Sequence, residues 1–351
     1  MSKQATEQPK KENLFQRIIS NNIVSYALAI ILAFIVSGIF ITIMGYDVFE
    51  AYKTILSTSF ATPNGFIQTL TKFVPLTLLA FAFTVPFATR KFNIGGEGQL
   101  LMGAIGAAVV GILFPNLPPY ILWPLLLLAG MFVGAIWGLI PGWLLYQFKI
   151  HEILSTVLLN FVAFAMVDFV CNRLLPEPMA GHPTSLPIGK NGYLPDLIQN
   201  PPLHAGIIIV LIVAVIIYIY TNRTTGGYDL VATGANPRAA SVFGINVRVM
   251  FVLGLVVAGA LAGLAGGIEV AGVHHHLIEG MHSNFKILGI IIGLISKGSN
   301  LAVPFVAFFI AVLEVGASGM QRTMMIPVEM VYIVESLVLL FVIMSDVIRR
   351  R

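Results

Sequence analysis

The chain has 351 residues, of which 57% are hydrophobic and only 10% are charged, and its mean hydropathy is +0.90. A soluble domain carries about 25% charged residues, so this composition excludes a soluble globular protein and predicts an all-α polytopic membrane protein. The formal net charge of +4 comes with no basic run interleaved with aromatic residues, and we therefore predict no nucleic-acid partner.

The first 22 residues are polar, and the first apolar run, 23–44, follows them directly. This run is long enough to cross a bilayer, whereas a secretory signal has a short apolar core and a small-residue cleavage site. We therefore expect an uncleaved first helix preceded by a cytoplasmic N-terminal segment, 1–22. The single cysteine, Cys171, excludes an internal disulfide and a cysteine-cluster metal site.

A helix that crosses the hydrocarbon needs about 20 apolar residues. The sequence predicts about ten such segments, which lie at 23–44, 72–89, 94–114, 121–146, 153–175, 204–221, 249–271, 285–296, 301–317 and 328–345. The eighth is too short for a straight crossing, because its uninterrupted apolar part is only 287–295. It is predicted to be half of a broken helix or a re-entrant segment.

The basic residues predict the orientation. With ten crossings and the N-terminus inside, fourteen of the twenty Lys and Arg residues fall on the cytoplasmic side, as the positive-inside rule requires. Both termini, with the basic tail 346–351, are then cytoplasmic, and so is the polar segment 226–248. The Pro- and Gly-rich connection 176–203 is predicted to be an ordered outer loop.

Two polar patterns interrupt the apolar segments. The first, FNIGGEGQLLMGA at 92–104, predicts either a Gly-rich packing seam or a broken helix that lines a permeation path, since irregular backbone at membrane depth must be satisfied by protein or by a cavity. The second lies within 149–169, where Glu152, Ser155 or Thr156, and Asn160 share one helix face. This stripe predicts either interhelical hydrogen bonds or contact with a solute.

Residues 226–248, GGYDLVATGANPRAASVFGINVR, form a capped polar segment between apolar ones. Asn236 is a favourable helix N-cap, Pro237 suits the first helical position, and Gly244 can end a helix in the left-handed conformation. A short helix specified so closely on a membrane protein predicts docking to a partner outside the membrane.

Other ionisable residues could carry chemistry. An acidic set in or near the spans could form a proton relay; it consists of Glu97, Asp168, Glu269, Glu314 and Glu335. A histidine cluster could suggest a metal, although consecutive histidines point in different directions; it consists of His274, His275 and His276 with Glu279 and His282. We predict neither a metal site nor a catalytic residue, and the sequence contains no phosphate-binding loop.

Four segments occur in a set order: FNIGGEGQLLMGA, KIHEILSTVLLN, GYDLVATGANPRAASVFGIN and GLVVAGALAGLAGGIEVAG. Together they resemble the membrane permease subunits of bacterial ABC importers of the nucleoside type, which belong to a wider group with ribose-type and branched-chain amino acid permeases. The resemblance covers roughly residues 20–345. It implies one transmembrane permease domain, 23–345, in the bacterial inner membrane, with no enzymatic activity of its own.

The resemblance also implies partners. Cytoplasmic ATPase subunits would hold ATP and Mg, so no cofactor is expected in this chain. A substrate-binding protein or lipoprotein would deliver the solute at the outer face, and a second permease subunit, in this branch often a different chain, would complete the pathway.

Carried over residue by residue, the motifs predict two sites. The family's broken-helix motif falls on Asn93, Gly95, Gly96, Glu97 and Gln99, and together with Glu152, Ser155 and Asn160 of the polar stripe these form the predicted translocation pathway. The predicted ATPase-coupling residues are Gly234, Asn236, Pro237, Arg238, Ala239, Ala240 and Gly244. Of these, Pro237, Arg238, Ala239, Ala240 and Gly244 would enter a groove on the partner.

The chain departs from the family pattern in HHHLIEGMHSNFKILGIIIGLISKGSN, 274–300. Lys286 and the histidine cluster stand before a helix that the resemblance places on the pathway, so nucleosides, sugars and other small polar solutes all stay open. The alternative to an ABC permease is an ion- or proton-coupled secondary transporter that uses Glu97 or Asp168, because such transporters also have broken helices near the membrane midplane.

Overall fold

The computed structural model describes residues 22–281, 285, 287–327 and 329–349. Its α-helices are α1 Asn22–Ile43, α2 Val48–Phe60, α3 Pro63–Phe87, α4 Gly96–Leu113, α5 Pro119–Phe148, α6 Glu152–Phe169, α7 Gly206–Arg223, α8 Thr225–Ala235, α9 Pro237–Val242, α10 Val247–Ile268, α11 Leu288–Ile295, α12 Val303–Met324 and α13 Glu329–Arg349. Helices α6 and α10 continue as π-helices, Val170–Leu174 and Glu269–His274. A 3-10 turn, Lys190–Gly192, precedes the antiparallel hairpin of β1 Asp196–Gln199 and β2 Pro202–His204.

The described residues include seven helical segments that are long and apolar enough to cross a membrane, which confirms the all-α polytopic class. They are Pro63–Phe87, Gly96–Leu113, Pro119–Phe148, Glu152–Leu174, Gly206–Arg223, Val247–His274 and Val303–Met324. The bent pair Leu28–Ile43 and Val48–Phe60, with 117° between its helices, makes an eighth if it counts as one span.

The predicted count of ten therefore exceeds the seven or eight spans of the described residues, for reasons of helix length. Helix α11 has only 8 residues, so it rises about 12 Å, far less than the roughly 30 Å of the hydrocarbon. Among the described side chains of α13, the apolar stretch is Tyr332–Met344. Helix α13 itself runs to Arg349 and so extends into the predicted basic tail.

The chain divides into two compact units. In the larger unit, Thr54–Gly319, α10 packs along α5, α4 and α3, while α11 packs on α3 and α6 packs on α4. In the smaller unit, formed by Met1–Lys53 and Met320–Arg351, α1 packs against α13.

A glycine seam joins α5 and α10 in the larger unit. A Cβ atom added at Gly134 would overlap the carbonyl oxygen of Gly259, and one added at Gly263 would overlap that of Gly130. Glycines at these positions let the two backbones touch, which is how membrane helices pack closely without a hydrophobic driving force between them. The glycines of the segment GALAGLAGG therefore allow α10 to pack closely at the centre of the larger unit.

The predicted loop 176–203 is held to residues that follow the π-helix of α10. Leu277 donates its backbone N–H to Ser185 Oγ at 2.9 Å, and Ile188 donates its N–H to the carbonyl of His275 at 2.9 Å. These bonds give the segment a defined path, although its placement on the outer face stays a prediction.

Candidate functional site

Helix α3 ends at Phe87 and α4 begins at Gly96, and residues 91–95 between them have no regular structure. We call residues 91–95 the interruption. Although irregular, it is partly inside the protein, and Asn93 is only 2% exposed. Buried backbone groups outside a helix need other partners, and side chains of α6 and of the interruption itself supply them here.

Asn93 and Gln99 form a reciprocal amide pair within the interruption and the first turn of α4. Asn93 donates from Nδ2 to Gln99 Oε1 at 2.8 Å, and Gln99 donates from Nε2 to Asn93 Oδ1 at 3.2 Å. Asn93 also donates to the carbonyl of Ala82 at 3.1 Å and accepts from the N–H of Gly95 at 3.1 Å. The pair thus fastens the interruption to α3.

Asn160 of α6 holds the same segment from the other side. Its Oδ1 accepts from the N–H of Gly98 at 2.9 Å, and its Nδ2 donates to the carbonyl of Ile94 at 3.0 Å. A Cβ at Gly98 would stand 2.7 Å from Asn160 Oδ1, so glycine is needed for this close approach. The Asn160 amide therefore bonds both to the interruption, at Ile94, and to the first turn of α4, at Gly98.

Glu152, at the first position of α6, anchors the start of the interruption. Its side chain is 3% exposed and lies 3.4 Å from Lys91 Nζ, and its Oε1 accepts from the N–H of Phe92 at 3.4 Å. The Lys91 ammonium also lies over the Phe251 ring, 4.9 Å from its centroid. Ser155 bonds to the carbonyl of Glu152 in its own helix and so bridges to no other helix.

A cavity of about 110 Å³ lies beside the interruption. It is lined by Leu79, Ala82, Phe83, Asn93, Ile94, Gly96, Glu97, Asn160, Ile287, Gly289 and Ile290. Most of this wall is apolar, with a few polar groups from the interruption, α4 and α6, as in sites that bind small molecules. Ligand pockets usually exceed about 300 Å³, so the cavity is closed to a nucleoside-sized solute in this structure.

Four predicted pathway residues line the cavity, namely Asn93, Gly96, Glu97 and Asn160. Gly95, Gln99 and Glu152 take part in the hydrogen bonds of the interruption without lining the cavity. Ser155 does not line it either and bonds within α6. Sequence reasoning missed the contribution of α3 (Leu79, Ala82 and Phe83), whose apolar side chains carry no signal. Ile287, Gly289 and Ile290 belong to the short apolar run 287–295, which the sequence predicted to be half of a broken helix or a re-entrant segment.

The segment 226–248 folds as two helices, α8 and α9, where the sequence predicted one. Asn236 caps α9, accepting at Oδ1 from the N–H groups of Arg238 and Ala239, both at 3.1 Å. Pro237 is the first residue of α9, and Gly244 has a φ of +86°. The local structure predicted for Asn236, Pro237 and Gly244 is confirmed.

The side chains of α9 divide into a buried and an exposed set. Ala240 is 5% exposed, since α9 packs against α8 and α10, whereas Val242 and Phe243 are 84% and 85% exposed. Arg238 is also exposed. The side chain of Ala240 is therefore not available to a partner groove. Over residues 236–244, the exposed residues are Asn236, Pro237, Arg238, Ser241, Val242, Phe243 and Gly244.

Gly234, near the end of α8, joins this segment to the interruption. A Cβ at Gly234 would overlap the carbonyl oxygen of Ala88 and lie 3.0 Å from Thr89 Cα. Ala88 and Thr89 belong to the turn that connects α3 to the interruption. The backbone of α8 therefore touches the turn that leads into the interruption and the cavity wall.

The acidic set does not gather at one place. Glu97 lines the cavity, Asp168 is exposed, and Glu269 lies 3.3 Å from His274 Nε2. Glu335 belongs to the smaller unit and Glu314 to the larger one. Within the described residues, no three His, Cys, Asp or Glu side chains are arranged to hold a metal ion.

The histidines after α10 have packing partners. The His275 ring stacks on Tyr193 with centroids 3.7 Å apart. Burial lowers the pKa of His275 and of His276 below the ordinary histidine value, which favours their neutral forms. His282 and Lys286 lie outside the described residues.

A polytopic helical protein with a small, mostly apolar cavity at a helix interruption, and with an exposed capped helix whose neighbour α8 touches the turn before that interruption, has the parts of a membrane transport permease. Residues 65–343 match the family described as "Branched-chain amino acid transport system / permease component". The chain belongs to this family and is a permease component in a membrane.

Three relatives in this group are similar over nearly the whole chain. The chain is 31% identical to the "Guanosine ABC transporter permease protein NupP" of Bacillus subtilis, over 92% of this chain and 93% of the relative. It is 30% identical to the "Glucose ABC transporter permease protein TsgB13" of Haloferax volcanii, over 92% and 87%. It is 29% identical to the "Nucleoside ABC transporter permease protein NupB" of Lactococcus lactis, over 92% and 90%.

Proposed function

We propose that this chain is the translocation subunit of a bacterial ABC importer for nucleosides or a similar small polar solute, in the inner membrane. The carrying observation is that Gly234 of α8, the helix that precedes the capped α9, packs its backbone on Ala88, in the turn that leads into the interruption and its cavity wall. Two of the three relatives above are named for nucleosides or guanosine, which favours a nucleoside over a sugar.

In this mechanism the solute occupies an enlarged form of the cavity. Asn93, Glu97 and Asn160 stand on its wall and offer the hydrogen-bonding groups that hydroxyls and a nucleobase edge require. Because Asn93 and Asn160 also hold the interruption together, their hydrogen bonds link solute binding to the conformation of the backbone. The present cavity of about 110 Å³ corresponds to a state without room for solute.

The driving force comes from outside the chain. ATP and Mg²⁺ are held by cytoplasmic ATPase subunits, which contact the exposed residues of α9. A substrate-binding protein or lipoprotein delivers solute at the outer face, and a second permease subunit, of the same or a different kind, completes the pathway. Movement at α9 then passes through α8 and Gly234 to the turn at Ala88 and opens the cavity.

A proton-coupled secondary transporter is less well supported. Two buried acids of the larger unit are held by basic partners, Glu152 by Lys91 and Glu269 by His274, and Asp168 is exposed and accepts from Asn172 at 2.6 Å. The three relatives above are all named as ABC transporter permeases.

The test is uptake of radiolabelled guanosine into proteoliposomes that contain the assembled complex. We expect uptake to require ATP inside the vesicles and to persist when a protonophore abolishes the pH gradient. Unlabelled nucleosides should compete, whereas glucose should not. Uptake that continues without ATP and stops with the protonophore would reject the ABC mechanism, and competition by glucose alone would reject the solute class.

A further inference from the structure

A second groove, of about 330 Å³, lies where the C-terminal end of α5 meets the N-terminal end of α10. It is lined by Leu145, Tyr146, Gln147, Lys149, Arg248 and Phe251. All six lining residues are described, and two of them are basic while none is acidic. No residue of this groove lines the cavity at the interruption.

The two cations of the groove are available to an anion. Lys149 and Arg248 are both exposed, and the Arg248 guanidinium lies over the ring of Tyr146, 5.8 Å from its centroid. Glu152, three residues after Lys149, has a side chain that is only 3% exposed and is held by Lys91 at 3.4 Å. That carboxylate is therefore engaged by Lys91, and among the described residues Lys149 and Arg248 form no ion pair.

An apolar face leads along α5 into this groove. Its large exposed side chains recur every three or four residues and so share one face of the helix; they are Leu125, Leu128, Phe132, Ile136, Leu139, Trp143 and Tyr146. Tyr146 belongs both to this face and to the groove. The charged groove is thus continuous with an apolar surface long enough for a hydrocarbon chain.

The length of α5 sets the depth of the groove in a bilayer. Its 30 residues rise about 45 Å, which matches the bilayer with its polar headgroup regions. The last turns of α5 therefore reach the headgroup level, where Trp and Tyr are enriched, and Trp143 and Tyr146 are 52% and 44% exposed there.

We propose that this groove binds an anionic phospholipid, with its phosphate at Lys149 and Arg248 and its acyl chains along the apolar face of α5. Basic pockets between membrane helices recognise such headgroups. The apolar face argues for a lipid over a soluble phosphate, since an inorganic anion would gain nothing from it. The uncompensated positive charge argues for an anionic lipid over a zwitterionic one, whose headgroup brings its own cation.

The experiment is native mass spectrometry of the full chain in mild detergent, titrated separately with phosphatidylglycerol and phosphatidylethanolamine. The wild-type chain should retain phosphatidylglycerol at the lower concentration. The double variant Lys149→Gln/Arg248→Gln should bind it on the order of thirtyfold more weakly, because each basic residue near an anionic lipid surface contributes roughly a fivefold factor. The charge-retaining variant Lys149→Arg/Arg248→Lys should bind nearly as the wild type does.

The control is Arg173→Gln/Lys190→Gln, which removes two exposed basic residues far along the chain from the groove and should leave lipid retention unchanged. Equal retention of phosphatidylglycerol and phosphatidylethanolamine by the wild type would overturn the proposal. Because this comparison uses only the wild-type chain, it does not depend on whether a variant folds. Displacement of phosphatidylglycerol by millimolar inorganic phosphate would show a free-phosphate site and overturn the lipid assignment. Loss of phosphatidylglycerol retention in the Arg173→Gln/Lys190→Gln control would overturn the assignment of the site to Lys149 and Arg248.

Discussion

Gly234 of α8 lies directly against the carbonyl of Ala88, in the turn where α3 gives way to the interruption. The two residues are 146 positions apart in the sequence, and no side chain stands between their backbones. Because the contact is between two backbones, no change of side-chain rotamer can relieve a displacement there. In the proposed mechanism this contact transmits displacement of the α8–α9 segment to the interruption, and replacing Gly234 with alanine tests the mechanism.

Replacing Gly234 with alanine should break this transmission. The added Cβ would overlap the Ala88 carbonyl, and overpacking against a rigid backbone typically costs about 1–3 kcal/mol. We expect ATP-driven uptake to fall at least severalfold, while ATP hydrolysis by the complex loses its dependence on solute. Uptake and ATPase rates in proteoliposomes measure both effects.

Gly181→Ala is the matched control, because a Cβ at Gly181 meets no atom within 4 Å. It should leave both rates unchanged. Wild-type uptake in the Gly234→Ala protein would show that α8 and the turn move independently, and the proposed path of coupling would then be wrong.

Asn160→Ala should damage the cavity wall. It removes the partners of the Gly98 N–H and the Ile94 carbonyl, and each buried group left unsatisfied costs about 1–3 kcal/mol. We expect a lower thermal midpoint and a loss of uptake that added solute does not restore. Asn172→Ala is the control, since Asn172 is exposed and bonds to Asp168, four residues earlier in the same helical segment. Equal effects of the two substitutions would contradict the role of Asn160.

The sequence predicted which polar residues lie at the site better than it predicted the hydrogen bonds that they form. Spacing placed Glu152, Ser155 and Asn160 on one face of α6, and Asn160 does reach the interruption. Spacing could not show that Ser155 bonds within its own helix, because a hydroxyl can satisfy itself there. It also could not show which residues of α3 close the cavity, since that depends on packing between segments.

The Lys91–Glu152 pair should be worth measuring by a double-mutant cycle. Glu152→Gln keeps the size of the side chain but leaves the Lys91 ammonium, which is 23% exposed, without its carboxylate. Removing one partner of a buried pair is costly, about 3–5 kcal/mol when burial is complete, and partial exposure of Lys91 reduces this. The double variant Lys91→Gln/Glu152→Gln should recover part of the lost thermal stability. Strictly additive losses would show that the two charges are not coupled.

The parts of the fold that could be predicted are those specified by residues close together in the sequence. Asn236, Pro237 and Gly244 specify the ends of α9 through their own side-chain and backbone chemistry, and α9 has those ends. The short length of α11, 8 residues, follows the uninterrupted apolar run 287–295 of the sequence. The bend of 117° after α1 is set by packing that apolar composition does not record. The burial of Ala240 has the same origin, because a short helix can turn either face toward the protein.

His204 should make the stability of the protein depend on pH. Its side chain is packed between Gly206 and Gly272, and desolvation lowers its pKa below the ordinary value, against the smaller opposing effects of Glu269 and Asp196. The folded protein then binds fewer protons than the unfolded chain once pH falls below about 6.5. The contribution of His204 to stability is therefore full above that pH and is lost as pH falls toward the lowered pKa.

Thermal midpoints between pH 8 and pH 5 measure this dependence. His204→Asn offers an acceptor for the Gly206 N–H, which His204 Nδ1 accepts at 3.1 Å, but it does not titrate. The variant should lose less stability on acidification than the wild type. His275 and His276 are present in both proteins, so the difference isolates His204, and identical pH profiles would rule out its contribution.

The exposed residues of α9 should carry the contact with the ATPase subunit. Phe243 is 85% exposed, and an aromatic side chain left in water is typical of an anchor that fills a partner's pocket. Phe243→Asp should abolish co-purification of the ATPase and ATP-driven uptake, while the thermal midpoint of the isolated chain changes little. Met179→Asp, at an apolar side chain that is 94% exposed in the 176–203 segment, is the control and should retain the ATPase. Ala240→Asp would be a poorer test, because a charge placed at a 5% exposed position destabilises α9 itself. Retention of the ATPase by the Phe243→Asp protein would move the docking surface away from the end of α9.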